Sequence, residues 1–400
     1  MDRTRRDRAL LAAVVFTVLL AQTLLYPGVP DLVAALGATT ELDASMWFLV
    51  AEFAAFVAFV GVWGAASDAA GRRVPFIAAG SVGGCVGYAA LAAAGAVTTL
   101  SFEAVLVVRA LQGAATIGAF SLAMTMLMDL AGGHGRNMGA AGIAIGLGTA
   151  TGAPLGGQLT ELDPLAPLVL ASALLLAAGA LVVRVDDRTP EREESLRAAL
   201  DDLVGTPALG IPYAFGFIDR LTAGFFALVG TLYFRAAFDL GAGNTGLMLA
   251  LFFAPFALLQ YPFGALSDRV GRRLPILAGS ALYGLGVVAV GRAPTVELAG
   301  AGMVLVGVLG ALMAPATMAL VTDLAPASER GAAMGGFNLF GSLGFLAGFL
   351  VGGTVADAYG FETAFLVAGS VEVLLALVTL PVLLRLDVER AETFGGTEEA

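Results

Sequence analysis

Lysine is absent from this chain, and its 400 residues include a single cysteine and a single histidine. A phosphate-binding loop of the Walker type needs a lysine, so ATP hydrolysis by that route is excluded. Cys85 alone cannot form an internal disulfide, and with His134 it is too little for a zinc site of histidine and cysteine ligands. A Ser-His or Cys-His catalytic pair would have to use His134, which stands in a glycine-rich segment predicted to be a solvated loop. We therefore expect no enzyme activity, no metal and no cofactor.

Charged residues are also scarce, at 13% of the chain, whereas about 25% is usual in soluble domains. Hydrophobic residues make up 58%, more than a soluble fold of this length could bury. A bilayer offers an apolar solvent about 30 Å thick, which a helix crosses in about 20 residues. The sequence therefore predicts an all-α membrane protein with twelve transmembrane helices in two pseudo-symmetric six-helix bundles. The predicted spans are 9–29, 45–66, 74–96, 102–128, 138–160, 164–183, 210–234, 244–266, 274–293, 297–322, 332–355 and 363–384.

The basic residues, all of them arginine, lie mainly on one side of these spans. With the N-terminus inside, Arg235 and Arg292 are the exceptions that fall outside, while Arg109 and Arg220 fall within spans. This bias predicts a multi-pass protein of the cell membrane with both termini in the cytoplasm. Residues 1–29 place an arginine pair before an apolar run, as some export signals do, but the run is long and eleven spans follow. We expect it to stay in the protein as the first span.

A polar segment interrupts the apolar pattern between the sixth and seventh spans. It predicts a cytoplasmic linker at 186–209, in which Ser195 to Val204 could form a short amphipathic helix on the membrane surface. The linker divides the chain into an N-terminal six-helix bundle at 1–185 and a C-terminal six-helix bundle at 210–386. An acidic cytoplasmic tail follows at 387–400 and is expected to be disordered.

Three motifs of the first half return in the same order roughly 200 residues later. They are Gly64, Asp68, Gly71, Arg72 and Arg73 with Gly264, Asp268, Gly271, Arg272 and Arg273; Asp129 with Asp323; and Gly148, Gly152, Gly156 and Gly157 with Gly344, Gly348, Gly352 and Gly353. This order indicates a duplication that maps the second span onto the eighth, the fourth onto the tenth and the fifth onto the eleventh. Two related halves are the layout of a transporter built from repeats.

The first of these motifs resembles the loop after the second span in the major facilitator superfamily, Gly-x-x-x-Asp-x-x-Gly-Arg-Arg/Lys. The resemblance extends over nearly the whole chain and implies a secondary transporter. Asp68 and Asp268 end their helices, where a carboxylate meets the negative end of its own helix dipole and needs an outside partner. That partner is an arginine of the loop or the N-terminus of a neighbouring helix. A contact between the halves that forms in one conformation only would gate transport; the alternative is a charge cluster that merely anchors the membrane boundary.

In the fourth span, residues 106–113 resemble the second motif of the family, whose arginine the resemblance ties to proton coupling in exporters. Arg109, inside a span, should face the bundle interior and have a partner. Glu52 lies at a similar depth, about 7 residues or ~10 Å below the outer edge. We predict that Arg109 lowers the proton affinity of a nearby carboxylate, which then releases its proton when the arrangement changes. The alternative is a static buried ion pair.

The fifth span resembles the third, exporter-associated motif. The residues concerned are Gly148, Gly152, Pro154, Gly156 and Gly157. In the family, proline usually follows the middle glycine directly, whereas here Ala153 intervenes, which weakens the indication of export. The glycine ladder by itself predicts a close approach of two helices.

The seventh span contains the adjacent charges Asp219 and Arg220. Neighbouring residues of a helix point roughly 100° apart, so this pair cannot satisfy itself well. A carboxyl near the midplane is costly unless it titrates or finds a partner, which makes Asp219 the leading proton or cation site of the second half. A fixed interhelical pair is the alternative, and Glu372 in the twelfth span is a weaker candidate of the same kind.

The first, fourth, seventh and tenth spans line the cavity in this family. The resemblance therefore implies candidate substrate contacts at Gln22, Tyr26, Gln112, Thr116, Asp219 and Met313. Ordinary interhelical packing is the alternative for each.

Taken together, these features predict a secondary active transporter that works by alternating access and couples the export of lipophilic or amphipathic small molecules to protons. Its expected partners are that substrate, protons or another cation, and the lipid bilayer; no nucleic acid is expected, and the chain is expected to be monomeric. A proton-coupled uptake symporter for a small metabolite is the alternative within the same fold. A membrane receptor or scaffold that transports nothing is the alternative of another class.

Overall fold

The computed structural model describes residues 3–40, 42–97, 100–131, 134–187, 207–325 and 330–385. Every regular element in these ranges is helical. The predicted surface helix from Ser195 to Val204, most of the linker and the tail at 387–400 lie outside the described residues. The division into domains at these boundaries stays a prediction.

The described residues form seven α-helices in each half. In the first half they are α1 (Arg3–Thr23), α2 (Val29–Ala35), α3 (Leu42–Ala70), α4 (Val74–Val97), α5 (Phe102–Met128), α6 (His134–Leu162) and α7 (Ala166–Val182). In the second half they are α8 (Gly210–Phe225), α9 (Thr231–Phe238), α10 (Ala242–Val270), α11 (Arg273–Gly291), α12 (Val296–Leu324), α13 (Arg330–Tyr359) and α14 (Phe361–Arg385). A 3₁₀ turn, Pro207–Leu209, precedes α8, and a π-helical turn, Phe226–Gly230, joins α8 to α9.

The helices of the described ranges account for the twelve predicted crossings. Among the described residues, nine stretches are both long and apolar enough to span a bilayer, counting α8 and α9 with their turns as one. The other three crossings are α1, which begins among arginines, α6, which is rich in glycine, and α7, which has 17 residues. The predicted all-α membrane fold is therefore confirmed.

Two details differ from the predicted spans. The first span is broken after Thr23, and the short α2 follows, with Pro30 in its first turn, where a proline costs no helical hydrogen bond. His134, predicted to stand in a loop, is instead the first residue of α6.

The repeated glycine ladders pack the same pair of helices in each half. In the first half, a β-carbon at Gly148 of α6 would lie 2.9 Å from the backbone oxygen of Phe16 in α1. In the second half, Gly344 of α13 lies against the backbone of Phe217 in α8 in the same way. Any larger residue would push these backbones apart, so the ladders set the distance between the fifth and first spans and between the eleventh and seventh.

The last glycine of each ladder instead faces the other half. Gly157 of α6 packs on the backbone of Ala242 at the start of α10, and a β-carbon at Gly353 of α13 would lie 2.7 Å from the sulfur of Met46 in α3. Deeper along the second seam, the rings of Phe53 and Phe345 stack with their centroids 4.8 Å apart. The two halves therefore meet along the seams α6–α10 and α3–α13, which the duplication relates to each other.

The helix ends define two faces of the molecule. The arginine-loop face carries residues 71–73 and 271–273, and the Asp31 face carries Asp31, Leu162 and residues 239–241. The described contacts between the halves run from the Asp31 face to mid-depth, where a β-carbon at Gly146 would lie 2.6 Å from the Cβ of Ala257. Nearer the arginine-loop face, a β-carbon on Gly142 would have no atom of another described helix within 4 Å. The seam between the halves is thus closed at the Asp31 face.

Candidate functional site

Glu52 of α3 and Arg109 of α5 form a fully buried ion pair inside the first half, nearer the Asp31 face than the arginine-loop face. Arg109 Nη2 donates to Glu52 Oε2 at 2.5 Å, and neither side chain is exposed. Gly113, one helical turn after Arg109, permits this approach, because a β-carbon there would lie 2.7 Å from the backbone oxygen of Glu52. The glycine therefore brings α3 and α5 close enough for the two charges to meet.

Polar and aromatic side chains enclose this pair. Arg109 Nη1 donates to Gln112 Oε1 at 2.5 Å, and Gln112 Nε2 donates to Thr116 Oγ1 at 2.7 Å. The Arg109 guanidinium lies 4.6 Å from the ring centroid of Phe48 and 5.4 Å from that of Tyr88. Aromatic faces attract a cation, so these rings help to hold the arginine's charge away from water.

Several polar atoms of this cluster lack hydrogen-bond partners within the described part of the chain. They are Glu52 Oε1, Gln22 Nε2, Tyr88 Oη and Arg109 Nε. Gln22 and Tyr88 lie beside the Glu52 carboxylate but without hydrogen bonds of ordinary geometry. The cluster therefore lacks part of its hydrogen bonding in this conformation, and each buried polar atom left unpaired costs about 1–3 kcal/mol. It can accept a proton, a water molecule or a rearranged partner.

Four of the six predicted substrate contacts, Gln22, Tyr26, Gln112 and Thr116, adjoin the same cluster. These four and Met313 are buried in this conformation, and Tyr26 lies in the turn between α1 and α2. Met313 of α12 stands apart from the cluster, because its Cβ would lie 2.9 Å from a β-carbon at Gly279 of α11. Contact with a substrate stays a prediction for each.

Asp219 and Arg220 of α8 do not pair with each other. Arg220 Nη2 donates to Asn338 Oδ1 of α13 at 3.2 Å, and its guanidinium lies 5.5 Å from the ring centroid of Phe337. Both charged side chains are half-buried. Asp219 has no hydrogen-bond partner among the described residues, so it presents a carboxyl at mid-depth that is available to a proton or a cation.

The two charged turns share a backbone design. Gly71 has φ +63° and Gly271 has φ +87°, a left-handed conformation that glycine adopts without a β-carbon clash. One turn earlier, Ser67 Oγ donates to the Gly64 carbonyl and Ser267 Oγ to the Gly264 carbonyl, each at 2.9 Å. The repeated residues therefore end α3 and α10 in the same way.

The charges of each turn pair inside their own half. Arg73 lies 3.8 Å from Asp68 and 2.7 Å from Asp129. The backbone N–H of Arg73 also donates to Asp187 at 2.9 Å, and Arg72 lies 3.8 Å from the same carboxylate.

In the second half, Arg272 lies 2.5 Å from Asp268 and 3.0 Å from Asp323, while Arg273 donates to the Leu384 carbonyl at 3.2 Å. Asp323 repeats Asp129, so the second repeated motif supplies a carboxylate partner for a loop arginine in both halves. The predicted gating contact, in which a charged turn of one half touches the other half, stays a prediction for another conformation.

The Asp31 face carries an ion pair between the halves that the sequence analysis missed. Arg235 of α9 contacts both carboxylate oxygens of Asp31 in α2, and its Nη2 donates to Oδ1 at 2.8 Å. Nearby, the backbone N–H of Gly243 at the start of α10 donates to Glu161 Oε1 of α6 at 2.9 Å. In the sequence, the one signal for this contact is that Arg235 lies on the side of the membrane opposite to most arginines.

Reversing one charge of this pair should open the Asp31 face. In Arg235→Asp, two carboxylates would face each other across the halves, whereas Asp31→Arg combined with Arg235→Asp restores the attraction. We expect spin labels at the exposed Leu162 and Tyr359 to move apart in the single variant and return in the double variant. These distances are measured by double electron–electron resonance spectroscopy after Cys85 is replaced. An unchanged distance in the single variant would show that the Asp31–Arg235 ion pair does not hold the Asp31 face closed.

A family model described as Major Facilitator Superfamily matches the chain over residues 11–234 and 213–400. An MFS-type transporter of Methanocaldococcus jannaschii is 32% identical over 167 residues, which cover 41% of this chain and 42% of that protein. The multidrug resistance protein MdtG of Escherichia coli is 33% identical over 137 residues, 34% of this chain and 33% of MdtG. The matches thus span less than half the length of these curated relatives.

Solved structures share the fold over almost the whole chain. The nucleoside transporter NupG has a TM-score of 0.74 with 14% identity, covering 96% of this chain and all of NupG. The human organic anion transporter TETRAN has a TM-score of 0.68 with 20% identity, covering 94% of this chain and all of its own. A bacterial homolog of the human lysosomal transporter Spinster, solved inward-facing and unoccupied, has a TM-score of 0.73 with 14% identity, covering 95% of each chain.

Proposed function

The chain belongs to the Major Facilitator Superfamily, a family of membrane transporters, and on that basis we propose that it exports lipophilic or amphipathic small molecules in exchange for protons. We also propose that it lies in the cell membrane with both termini in the cytoplasm, as the arginine bias favours. The arginine-loop face is then cytoplasmic and the Asp31 face external.

The buried Glu52–Arg109 pair is the observation on which this proposal depends most. Charges inside a membrane are expensive, and those that occur mark pathways for ions, protons or substrates. Here the cost is not fully offset, because Glu52 Oε1 and Arg109 Nε have no hydrogen-bond partner in the described part of the chain. When the pair separates, Glu52 loses the cation that keeps it ionised and takes up a proton; when the pair forms, the proton leaves.

Alternating access supplies the motion that separates and re-forms the pair. This structure is closed at the Asp31 face by Asp31–Arg235 and by Gly157 on α10, which with the proposed orientation is an inward-facing state. The loop aspartates Asp68 and Asp268 are paired inside their own halves here. In the outward-facing state they become free to contact the opposite half and close the cytoplasmic side.

The lining chemistry favours lipophilic substrates. A sugar needs many hydrogen-bonding side chains, whereas the polar groups of the predicted contact set are few and already bonded to one another at Gln112 and Thr116. The partial similarity to a multidrug resistance protein supports the same class. Uptake of a small metabolite is the alternative that the shared fold leaves open.

A flux assay separates the alternatives. A thermal-shift screen of the purified chain identifies a ligand, which is then followed in sealed proteoliposomes of known orientation under an imposed proton gradient. Export predicts that substrate and protons move in opposite directions. Concentrative uptake with the proton flow would establish the symporter instead, and tight binding without flux would establish a receptor.

Asp219→Asn should stop proton movement that depends on substrate while leaving the fold intact. Asp219 is half-buried and loses no hydrogen bond that the structure describes, so asparagine removes only the titratable group. A pH-sensitive dye in the proteoliposomes measures the proton movement. The matched control is Asp357→Asn, an exposed aspartate on α13, which should behave as the unmodified chain. A normal proton signal in Asp219→Asn would remove this residue from the coupling site.

A further inference from the structure

We propose that Glu372 of α14 is a second proton-binding site, shared by α8, α11 and α14, which exchanges a proton together with Asp219. The coupling part of this proposal rests on the proposed function; the binding part does not. The family resemblance places the twelfth span at the periphery of the bundle, outside the substrate pathway.

Glu372 is fully buried near the middle of its helix. No arginine within the described ranges lies at ion-pair distance from it, in contrast to Glu52, which has Arg109. A carboxylate buried without a cation is strongly disfavoured, so the neutral acid is the resting form in this conformation. A protonated carboxyl inside the membrane can release its proton when its surroundings change, as carboxyls in proton relays do.

Two hydroxyls make the site able to accept either protonation state. Thr222 Oγ1 of α8 lies 3.2 Å from Glu372 Oε1 and 3.3 Å from the carbonyl of Ile218. Ser280 Oγ of α11 lies 2.8 Å from Glu372 Oε2 and 3.3 Å from the Glu372 carbonyl. Each hydroxyl can donate to the carboxylate when Glu372 is ionised. When Glu372 is neutral, either hydroxyl can instead donate to its nearby backbone carbonyl and accept a hydrogen bond from the carboxyl O–H.

An unpartnered hydroxyl and a second carboxyl complete the cluster. Tyr283 of α11 is fully buried, its hydroxyl has no hydrogen-bond partner among the described residues, and it interacts electrostatically with both Asp219 and Glu372. Asp219 lies one helical turn before Thr222 on α8 and interacts with Glu372. The Tyr283 hydroxyl therefore lies near both carboxyls, and Thr222 contacts Glu372 from the same helix that carries Asp219.

The charges on the elements around Glu372 fit this arrangement. From α8, Arg220 is directed to Asn338 and Phe337 of α13, which leaves Asp219 as the charged group of α8 that acts on Glu372. From α11, the groups that face Glu372 are the hydroxyls of Ser280 and Tyr283. On α13, no charged group of the described part contacts Glu372. Because like charges disfavour each other, Asp219 and Glu372 favour sharing one proton over both being ionised.

A movement of α8 against α14 would change the proton affinity of the site. It would carry Thr222 away from the Glu372 carboxyl and change the distance to Asp219, which alters both the hydrogen bonding and the repulsion. The proton gained or lost comes from water, so the exchange is a simple protonation with no other reactant.

Infrared difference spectroscopy on the full chain in lipid nanodiscs tests the site without any substrate. As the pH is raised, the C=O stretching band of a protonated carboxyl should disappear from the unmodified protein. The band should be absent in Glu372→Gln and displaced in Asp219→Asn. The matched control is Glu362→Gln, an exposed glutamate on the same helix, which should leave the band in place.

Ser280→Ala keeps the test decisive if Glu372→Gln does not fold. Loss of one hydroxyl donor should shift the frequency of the same band, and an unshifted band would overturn the proposal. A band that persists unchanged in folded Glu372→Gln would also overturn it.

Proton flux measured beside the spectra separates this proposal from the proposed function. Loss of the band together with fewer protons moved per substrate in Glu372→Gln supports the whole proposal. Loss of the band with unchanged proton coupling overturns the part played by Glu372 in transport. A band that is lost in the variant while the unmodified chain moves no protons at all contradicts the proposed function and leaves the binding site standing.

Discussion

Arg109→Ala should destabilise the protein by about 3–5 kcal/mol, the range measured when one partner of a buried ion pair is removed. The loss is large because Glu52 loses its cation and must take up a proton to stay buried, and both side chains are fully buried in the intact chain. Proton movement driven by substrate should be lost as well, since nothing then expels the proton from Glu52. Thermal unfolding in detergent measures the first effect, and pH-sensitive dye in proteoliposomes the second.

The double variant Glu52→Gln with Arg109→Gln separates stability from coupling. Two amides can keep a hydrogen bond between α3 and α5 without a buried charge, so we expect most of the stability to return. Proton coupling should stay absent, because no titratable group remains in the pair. Full coupling in this double variant would show that the pair is static and only structural.

Gly157→Leu should hold the Asp31 face open and stop transport. A β-carbon at Gly157 would lie 2.9 Å from the carbonyl carbon of Ala242 and 3.0 Å from the Cα of Gly243. Backbone atoms cannot move aside as a flexible side chain can, so α6 and α10 must separate at this end. The distance between labels at Leu162 and Tyr359 should increase, and substrate flux should fall to background.

Three glycine variants act as matched controls for this effect. Gly139→Leu on the same helix has open space around its β-carbon position and should change neither distance nor flux. Gly148→Leu would separate α6 from α1 within one half, so it should lower stability without specifically opening the seam. Gly353→Leu should open the face less than Gly157→Leu, because it meets the flexible side chain of Met46. Equal label distances in Gly157→Leu and Gly139→Leu would contradict the assigned role of Gly157.

The duplication let the sequence predict more than the number of spans. The equivalence of Gly148 with Gly344 was visible in the chain, and the structure shows both glycines against the same partner helix of their halves. Such repeats reveal backbone contacts because a glycine at a close approach cannot be replaced without moving a helix. The repeat of Asp129 at Asp323 indicated a constraint, although not that both carboxylates bind an arginine of the charged turn.

Partners that come from distant parts of the chain were harder to predict. Glu52 and Arg109 were matched by depth alone, and nothing in the sequence specified that Gly113 would admit the backbone of α3. The pair Asp31–Arg235 joins two residues without any repeat or shared motif. The unpaired hydroxyl of Tyr88 was not foreseen, because hydropathy ranks a buried tyrosine with other aromatic residues and says nothing of its hydroxyl.

The π-helical turn Phe226–Gly230 sets where Arg235 points. A π turn holds one residue more than an α turn needs, and each residue of an α-helix rotates the next side chain by about 100°. With a regular helix at 226–230, the guanidinium would be rotated by that angle away from Asp31. The closure at the Asp31 face thus depends on one extra residue in the middle of the seventh span, which sets the direction of the Arg235 side chain.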